Sequence, residues 1–267
     1  MNGLEGKVAI VTGASRGIGA AIALDLARQG AKARRPQPPE STRLTIAITF
    51  VSDSSEAAAE DVVSQINNFN NGAHAIKIQV DIAHVDAPRT IVEQTLTAFG
   101  PNIDILINNA GKSVRKPFLE TTLDDFDQSI NVNLRGPFFL SQAVVPHLRR
   151  PGRIINISSI WGPLYGVYTA SKAGLEAFTR SLAAAVGPIG HSVNSVLPGL
   201  TDTDMLKSLT EDDESAKFHR DVASMTPMEG RVASAEEIAS VVSLLVCPQS
   251  QWITGQSISA TGGLLML

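Results

Sequence analysis

Hydrophobic positions along the chain alternate between short, nearly unbroken runs and longer stretches with apolar residues every three or four positions. The short runs predict seven strands: Val8–Val11, Thr45–Phe50, Ala75–Val80, Ile103–Ile107, Arg153–Ile157, Ser192–Leu197 and Ser257–Ala260. Several are continuously apolar, the pattern of parallel strands covered on both faces. Between them lie helical stretches. Ile18, Ile22 and Leu26 recur every four residues up to Gly30, a suitable helix terminator. Further helices are expected over Ser54–Asn68, Ala87–Phe99, Leu123–Leu148, Tyr168–Val186 and Ala235–Val246. Strands alternating with helices imply right-handed crossovers and a Rossmann-type, doubly wound parallel sheet with helices on both faces, an α/β fold. With no internal repeat and no long linker, residues 1–267 are expected to form one domain.

One stretch breaks this rhythm. Lys32 to Arg43 carries Pro36, Pro38, Pro39, Arg34 and Arg35, and reads as an irregular surface insert. Its arginines are poorly placed to hold a ligand phosphate. Helix-to-strand connections lie at the amino edge of a parallel sheet, whereas ligands bind at the carboxyl edge. Composition narrows the function classes. The net charge of −4, without a long basic block, gives no footprint for nucleic acid. No apolar run reaches the ~18 residues that span a bilayer. The single Cys247 excludes an intramolecular disulfide framework and fits a reducing, cytoplasmic setting. The first strand starts too early to follow a cleaved leader.

Candidate chemistry is concentrated in three places. Tyr168 and Lys172 stand four apart on a predicted helix and so share a face. A cation near a phenol favours phenolate and is expected to lower the tyrosine toward physiological pH, fitting it for proton exchange on a carbonyl or alcohol oxygen. Tyr165 has no such partner, since Thr169 stands four residues after it. Upstream, Thr12, Gly13, Ala14, Ser15, Arg16, Gly17, Ile18 and Gly19 link the first strand to the first helix. Glycines there let the backbone approach a pyrophosphate, and the helix start supplies amide donors. At the end of the second strand, Phe50, Val51 and Ser52 supply no acid to accept a ribose 2′-hydroxyl. Arg16 and Ser52 instead suit a 2′-phosphate, which favours NADP(H). Asp53, just beyond, is a competing carboxylate.

Together these pieces resemble the compact single-domain branch of the short-chain dehydrogenase/reductase family, of the 3-oxoacyl-carrier-protein reductase type. The resemblance runs from Gly6 to Gly263. It rests on the glycine turn, Asp81 and Ile82 after the third strand, and Asn108, Asn109, Ala110 and Gly111 after the fourth. It continues with Ser159 after the fifth, the Tyr168/Lys172 pair, and Pro198, Gly199 and Thr203 after the sixth. It implies that Tyr168 is the acid/base, that Ser159 bonds the substrate oxygen, and that Lys172 binds the nicotinamide ribose. Asn133, favoured over Asn131 by its Val-Asn-Leu-x-Gly setting, matches the family asparagine that holds a relay water. Gly13, Ser15, Arg16, Gly17, Ile18, Gly19, Ser52, Asp81, Ile82, Asn109, Ala110, Gly111, Pro198, Gly199 and Thr203 would contact the cofactor, with Thr203 at the nicotinamide carboxamide. The family commonly assembles as a homotetramer or dimer.

The expected activity is NADPH-dependent reduction of a ketone or aldehyde, on a 3-oxoacyl or secondary-metabolite substrate. The alternatives are an NAD-dependent alcohol dehydrogenase of the same fold, and a cofactor-sensing protein without turnover. Two segments depart from the family. Ser159 and Tyr168 are nine apart, about four residues closer than usual, with Trp161, Pro163 and Tyr165 between them; this bears on the reach of Ser159. Asp204 to Gly230, the family's substrate lid, mixes Met205, Leu206, Phe218 and Met225 with Glu211, Asp212, Asp213 and Glu214, an acidic run expected to be a solvated helix start. His74, His84, His147, His191 and His219 lack metal-ligand spacing and read as surface or loop residues. The apolar tail Leu264 to Leu267 is expected to meet a second subunit.

Overall fold

The computed structural model describes residues 4–30, 43–114, 116–160, 166–208 and 213–266. Most of the expected insert, the Trp161–Tyr165 segment, Glu211, Asp212 and Leu267 lie outside them. Seven strands form one parallel sheet: β1 Val8–Val11, β2 Thr45–Phe50, β3 His74–Gln79, β4 Ile103–Asn108, β5 Leu148–Ile157, β6 Ser192–Pro198 and β7 Ser257–Ala260. Their order is β3-β2-β1-β4-β5-β6-β7. The chain therefore reverses its winding between β1 and β4, and the crevice at that switch point opens at the carboxyl ends of both.

Strand alternation distributes the core to two faces. Ala9, Val11, Ile105, Ile107, Ile155 and Ile157 pack on one side with Ile22 and Leu26 of α1 (Gly17–Gln29), Val62 and Ile66 of α2 (Glu56–Asn67), and Ile238 and Val242 of α9 (Ala235–Val246). Ile10, Leu106, Ile154 and Val193 face the other way, onto α3 (Ala87–Phe99), α5 (Gly136–Val144) and α6 (Gly166–Val186). One polar row crosses this second face. Asn108 Nδ2 donates to Asn156 Oδ1 at 2.8 Å, Asn156 Nδ2 to Thr179 Oγ1 at 2.8 Å, and Thr179 shares a 2.8 Å bond with Ser195. All four residues are buried, so each bond satisfies groups that would otherwise be costly in the interior.

The long helix expected over Leu123–Leu148 is broken into four pieces. α4 (Leu123–Ile130) runs into a π-helical turn at Asn131–Arg135, then α5, and a 3₁₀ turn at Val145–His147. Pro137 and Pro146 fit these breaks because each lacks an amide hydrogen for the preceding turn. The π turn places Asn133 against the Lys112 backbone: Lys112 N donates to Oδ1 at 2.8 Å and Nδ2 donates to Lys112 O at 2.9 Å. Between β6 and α9 lie two short helices, α7 (Asp204–Ser208) and α8 (Asp213–Ser224). Asp213 and Glu214 do begin α8 at the surface, as the acidic run suggested.

Candidate active site

The glycine turn is held rigidly at the switch point. Asn109 Nδ2 donates to the carbonyls of Thr12 (2.8 Å) and Gly13 (3.0 Å), while Gly13 N donates to Thr49 Oγ1 at 3.1 Å. Thr12 Oγ1 accepts from the amides of Asn109 and Ala110, each at 3.0 Å. Gly13 has φ +63°, and a Cβ there would stand 2.9 Å from Ala110 Cα. A Cβ on Gly19 would meet the Asn109 amide and lie 2.5 Å from Gly13 O. Both positions require glycine. The first turn of α1 has no side-chain cap, in contrast to the capping boxes of α4 (Thr122, Asp125) and α9 (Ser234, Glu237). Its amide hydrogens and positive dipole end therefore remain directed at the cleft, as an anion site requires.

A cleft of about 1060 Å³ extends from this turn across the carboxyl edge of the sheet. Every cofactor position expected from the sequence lines it: Gly13, Ser15, Arg16, Gly17, Ile18, Gly19, Ser52, Asp81, Ile82, Asn109, Ala110, Gly111, Tyr168, Lys172, Pro198, Gly199 and Thr203. Ser159 does so too. Asn133 does not; it is fully buried behind Gly111, and its neighbours Asn131 and Val132 reach the cleft instead. A Cβ on Gly111 would lie 3.5 Å from both Asn133 Oδ1 and Lys172 Nζ, so only a glycine-sized gap separates the two side chains. The Asn133 amide is fully engaged with Lys112, Ser171 (3.0 Å) and Ser129 (3.3 Å).

Ser52 and Ser55 face the cleft, whereas Asp53 accepts a 2.7 Å bond from Gln79 Nε2 and does not line it. The competing carboxylate is thus turned toward β3. Arg16 is exposed at the cleft rim, 3.7 Å from Asp204. Met205, Leu206, Ser208 and His219 of α7 and α8 close the far end. Met225 and Phe218, in contrast, are exposed and do not line the cleft. His219 and His191 depart from the surface reading. Both are buried, with His219 Nδ1 bonded to Ser215 O at 2.7 Å and His191 Nδ1 accepting from Gly152 N at 3.0 Å. Among the described residues no group of three or more His, Cys, Asp or Glu side chains could hold a metal.

Tyr168 and Lys172 point into the cleft from one face of α6, and the Tyr168 phenol is hydrogen bonded to the Ser159 side chain. The short Ser159–Tyr168 spacing therefore does not keep the two hydroxyls apart. The expected tuning of the phenol is corrected. Burial raises the Tyr168 pKa above its ordinary value, and the bond with Ser159 opposes this only in part. Lys172 Nζ lies 5.8 Å from the centre of the Tyr168 ring and donates to Ile157 O at 2.7 Å. Burial lowers it to about 8, with Glu176 pulling the other way. Both groups are thus driven toward their neutral forms, because desolvation penalises whichever form carries charge. The sequence reading passed over Glu176, although it stands four residues after Lys172. Its carboxylate accepts from Ser158 Oγ (2.8 Å) and Ser257 Oγ (3.1 Å), which fixes a negative charge beneath the lysine.

A family model described as enoyl-(acyl carrier protein) reductase matches residues 13–265. Dehydrogenase OXI1 of Cochliobolus heterostrophus is 54% identical over 226 residues, covering 83% of this chain and 97% of the relative. The hydroxynaphthalene reductase-like protein Arp2 of Metarhizium brunneum is 36% identical over 273 residues, covering 97% of this chain and 95% of that one. Among solved structures, a short-chain dehydrogenase from Burkholderia cenocepacia in complex with NADP superposes with a TM-score of 0.83 at 37% identity, over 98% of both chains.

Proposed function

The chain belongs to the short-chain dehydrogenase/reductase family, and from that premise we propose that it is an NADPH-dependent reductase of a ketone carbonyl in a secondary metabolite. The observation that carries this reading is the Ser159–Tyr168 hydrogen bond, set beside a buried lysine in the cleft that the glycine turn also lines. The cofactor fits on two counts: the glycine cradle that any Cβ would fill, and the uncapped start of α1. Gly13, Ser15, Gly17, Ile18 and Gly19 would hold the pyrophosphate, Arg16 and Ser52 the 2′-phosphate, and Asp81 and Ile82 the adenine. Asn109 supports the turn from behind, with Ala110 and Gly111 as the adjoining wall. Pro198, Gly199 and Thr203 would take the nicotinamide end. The preference for NADPH is supported by the withdrawal of Asp53 and by the NADP in the Burkholderia structure.

When bound, the reduced dinucleotide supplies a hydride. Negative charge then develops on the carbonyl oxygen, where the hydroxyls of Ser159 and Tyr168 both donate. Burial that holds the phenol above its ordinary value keeps Tyr168 protonated, which is the form a general acid needs. Lys172 carries its charge below about pH 8 and stabilises the phenolate that remains. Reprotonation by way of Asn133 would use its main-chain carbonyl, since the amide is spent on Lys112, Ser171 and Ser129. The hydroxynaphthalene reductase-like relative supports a hydroxylated aromatic ketone. The dehydrogenase named in Cochliobolus favours alcohol oxidation by the same groups as the second reading. The exposed Met266 and Leu265 of the tail would meet a second copy, a point for light scattering to test.

The test is Tyr168→Phe, assayed with NADPH on a panel of hydroxylated aromatic ketones beside a fluorescence titration of NADPH. Turnover should fall at least about a hundredfold while NADPH affinity holds. Near-normal turnover overturns the assignment of the acid. NADPH binding by wild type without consumption on any ketone overturns the reductase itself.

A further inference from the structure

A second feature lies at the opposite, amino edge of the sheet, away from the catalytic cleft. Arg153, the β5 residue after Gly152, is 3% exposed, yet its Nε has no hydrogen-bond partner. Nη1 donates only to the neighbouring Gly152 carbonyl, at 3.1 Å. Ser192, its direct partner across the β5–β6 pairing, is also 3% exposed with an unpartnered hydroxyl. Paired residues of adjacent parallel strands project to the same face. Both groups are therefore buried on one face of the sheet without a hydrogen-bond partner. Arg153 lines a small pocket of about 40 Å³, together with Lys7, Asp104, Pro151 and Val246.

The groups around Arg153 do not neutralise it. Asp104 is the nearby carboxylate, and four donors already occupy it. Lys7 Nζ (3.0 Å) and Arg149 Nε (2.8 Å) bond Oδ1; Val8 N (2.9 Å) and Arg149 Nη2 (2.7 Å) bond Oδ2. Its single charge is shared by two cations and is not free for Arg153. The Cys247 thiol beside Arg153 is held above its ordinary value by burial and remains neutral. His191 is kept neutral by burial and by Arg150 and Arg153, and its Nδ1 is an acceptor already taken by Gly152. The carboxyl end of α9 offers about half a negative charge, which offsets the guanidinium only in part. A buried cation left unpaired is strongly destabilising. Orphaned buried donors in a native structure call for a water or an ion.

We propose that this pocket binds a small monovalent inorganic anion of halide size, held by the Arg153 guanidinium, which ties β5 to the end of α9. The pocket of about 40 Å³ exceeds the roughly 10–15 Å³ that one water needs and has room for an ion of halide size. Chloride is the probe. Thermal unfolding of wild type in sodium chloride should lie roughly 2 °C or more above that in sodium gluconate at matched ionic strength, since an anion bound only by the folded state stabilises it. In Arg153→Met the difference should vanish. Equal melting temperatures in the two salts for wild type, or the same chloride response in Arg153→Met, overturn the proposal. If Arg153→Met does not fold, crystals of wild type grown in sodium bromide decide. An anomalous peak within hydrogen-bonding reach of Arg153 Nε supports it, and a water there overturns it.

Discussion

Lys172 offers the sharpest test of the electrostatics, because its burial should be readable in stability independently of catalysis. Its folded pKa is lowered to about 8 from 10.5. Between those values the unfolded chain binds more protons than the folded one, so the unfolding free energy must rise with pH. The penalty is in full force below about pH 8 and is relieved by about pH 10.5. A shift of this size corresponds to about 3 kcal/mol, taking 1.36 kcal/mol per pKa unit. Lys172→Met removes the titration while keeping most of the side-chain volume. The gap between the two proteins at neutral pH also contains the lost 2.7 Å bond to Ile157. The change in that gap with pH does not, and other titrating groups cancel in the difference. Urea unfolding of both proteins at about pH 7 and about pH 10 is the assay. Relative to Lys172→Met, wild type should gain about 2–3 kcal/mol, or roughly 1 M in urea midpoint. A gap that stays constant across this range refutes the claim that the lysine is buried at a cost.

Three further outcomes are expected. Gly19→Ala should weaken NADPH binding at least about tenfold in a fluorescence titration and destabilise the fold by about 1–3 kcal/mol, since its Cβ has no space beside Asn109 and Gly13. Arg16→Ala should raise KM for NADPH severalfold and leave KM for NADH nearly unchanged; equal effects on both would remove Arg16 from 2′-phosphate recognition. Asp104→Asn should cost about 1–3 kcal/mol in urea unfolding, because charge-assisted bonds from Arg149 and Lys7 would be lost while both cations can turn to water.

Strands such as β1, β2 and β4 were legible in the sequence because they are buried on both faces and so are largely apolar. Strand ends were less so. β3 begins at the exposed His74, whose amide is fixed by Leu44 O and whose ring bonds Asn67, neither visible as hydrophobicity. The break between α4 and α5 was hidden because apolar spacing continues through it. A tertiary link, Asn133 to the Lys112 backbone, accompanies the π turn. Spacing placed Tyr168 and Lys172 on one helix face, but the sign of the phenol's shift depends on burial, which spacing does not report. Glu176 carried a usable signal in its position one turn beyond Lys172. Arg153 carried another, as a charge directly before the apolar Ile154 and Ile155.

The buried row Asn108–Asn156–Thr179–Ser195 has a mechanical meaning for the crevice above it. It dowels α6 to β4, β5 and β6, so the wall bearing Ser159 and Tyr168 cannot swivel without breaking several interior bonds at once. On the facing wall, among the described residues, α7 buries none of its residues and α8 only His219. Any change of shape around the cleft therefore falls first to that less buried flank, while the side bearing Tyr168 stays anchored.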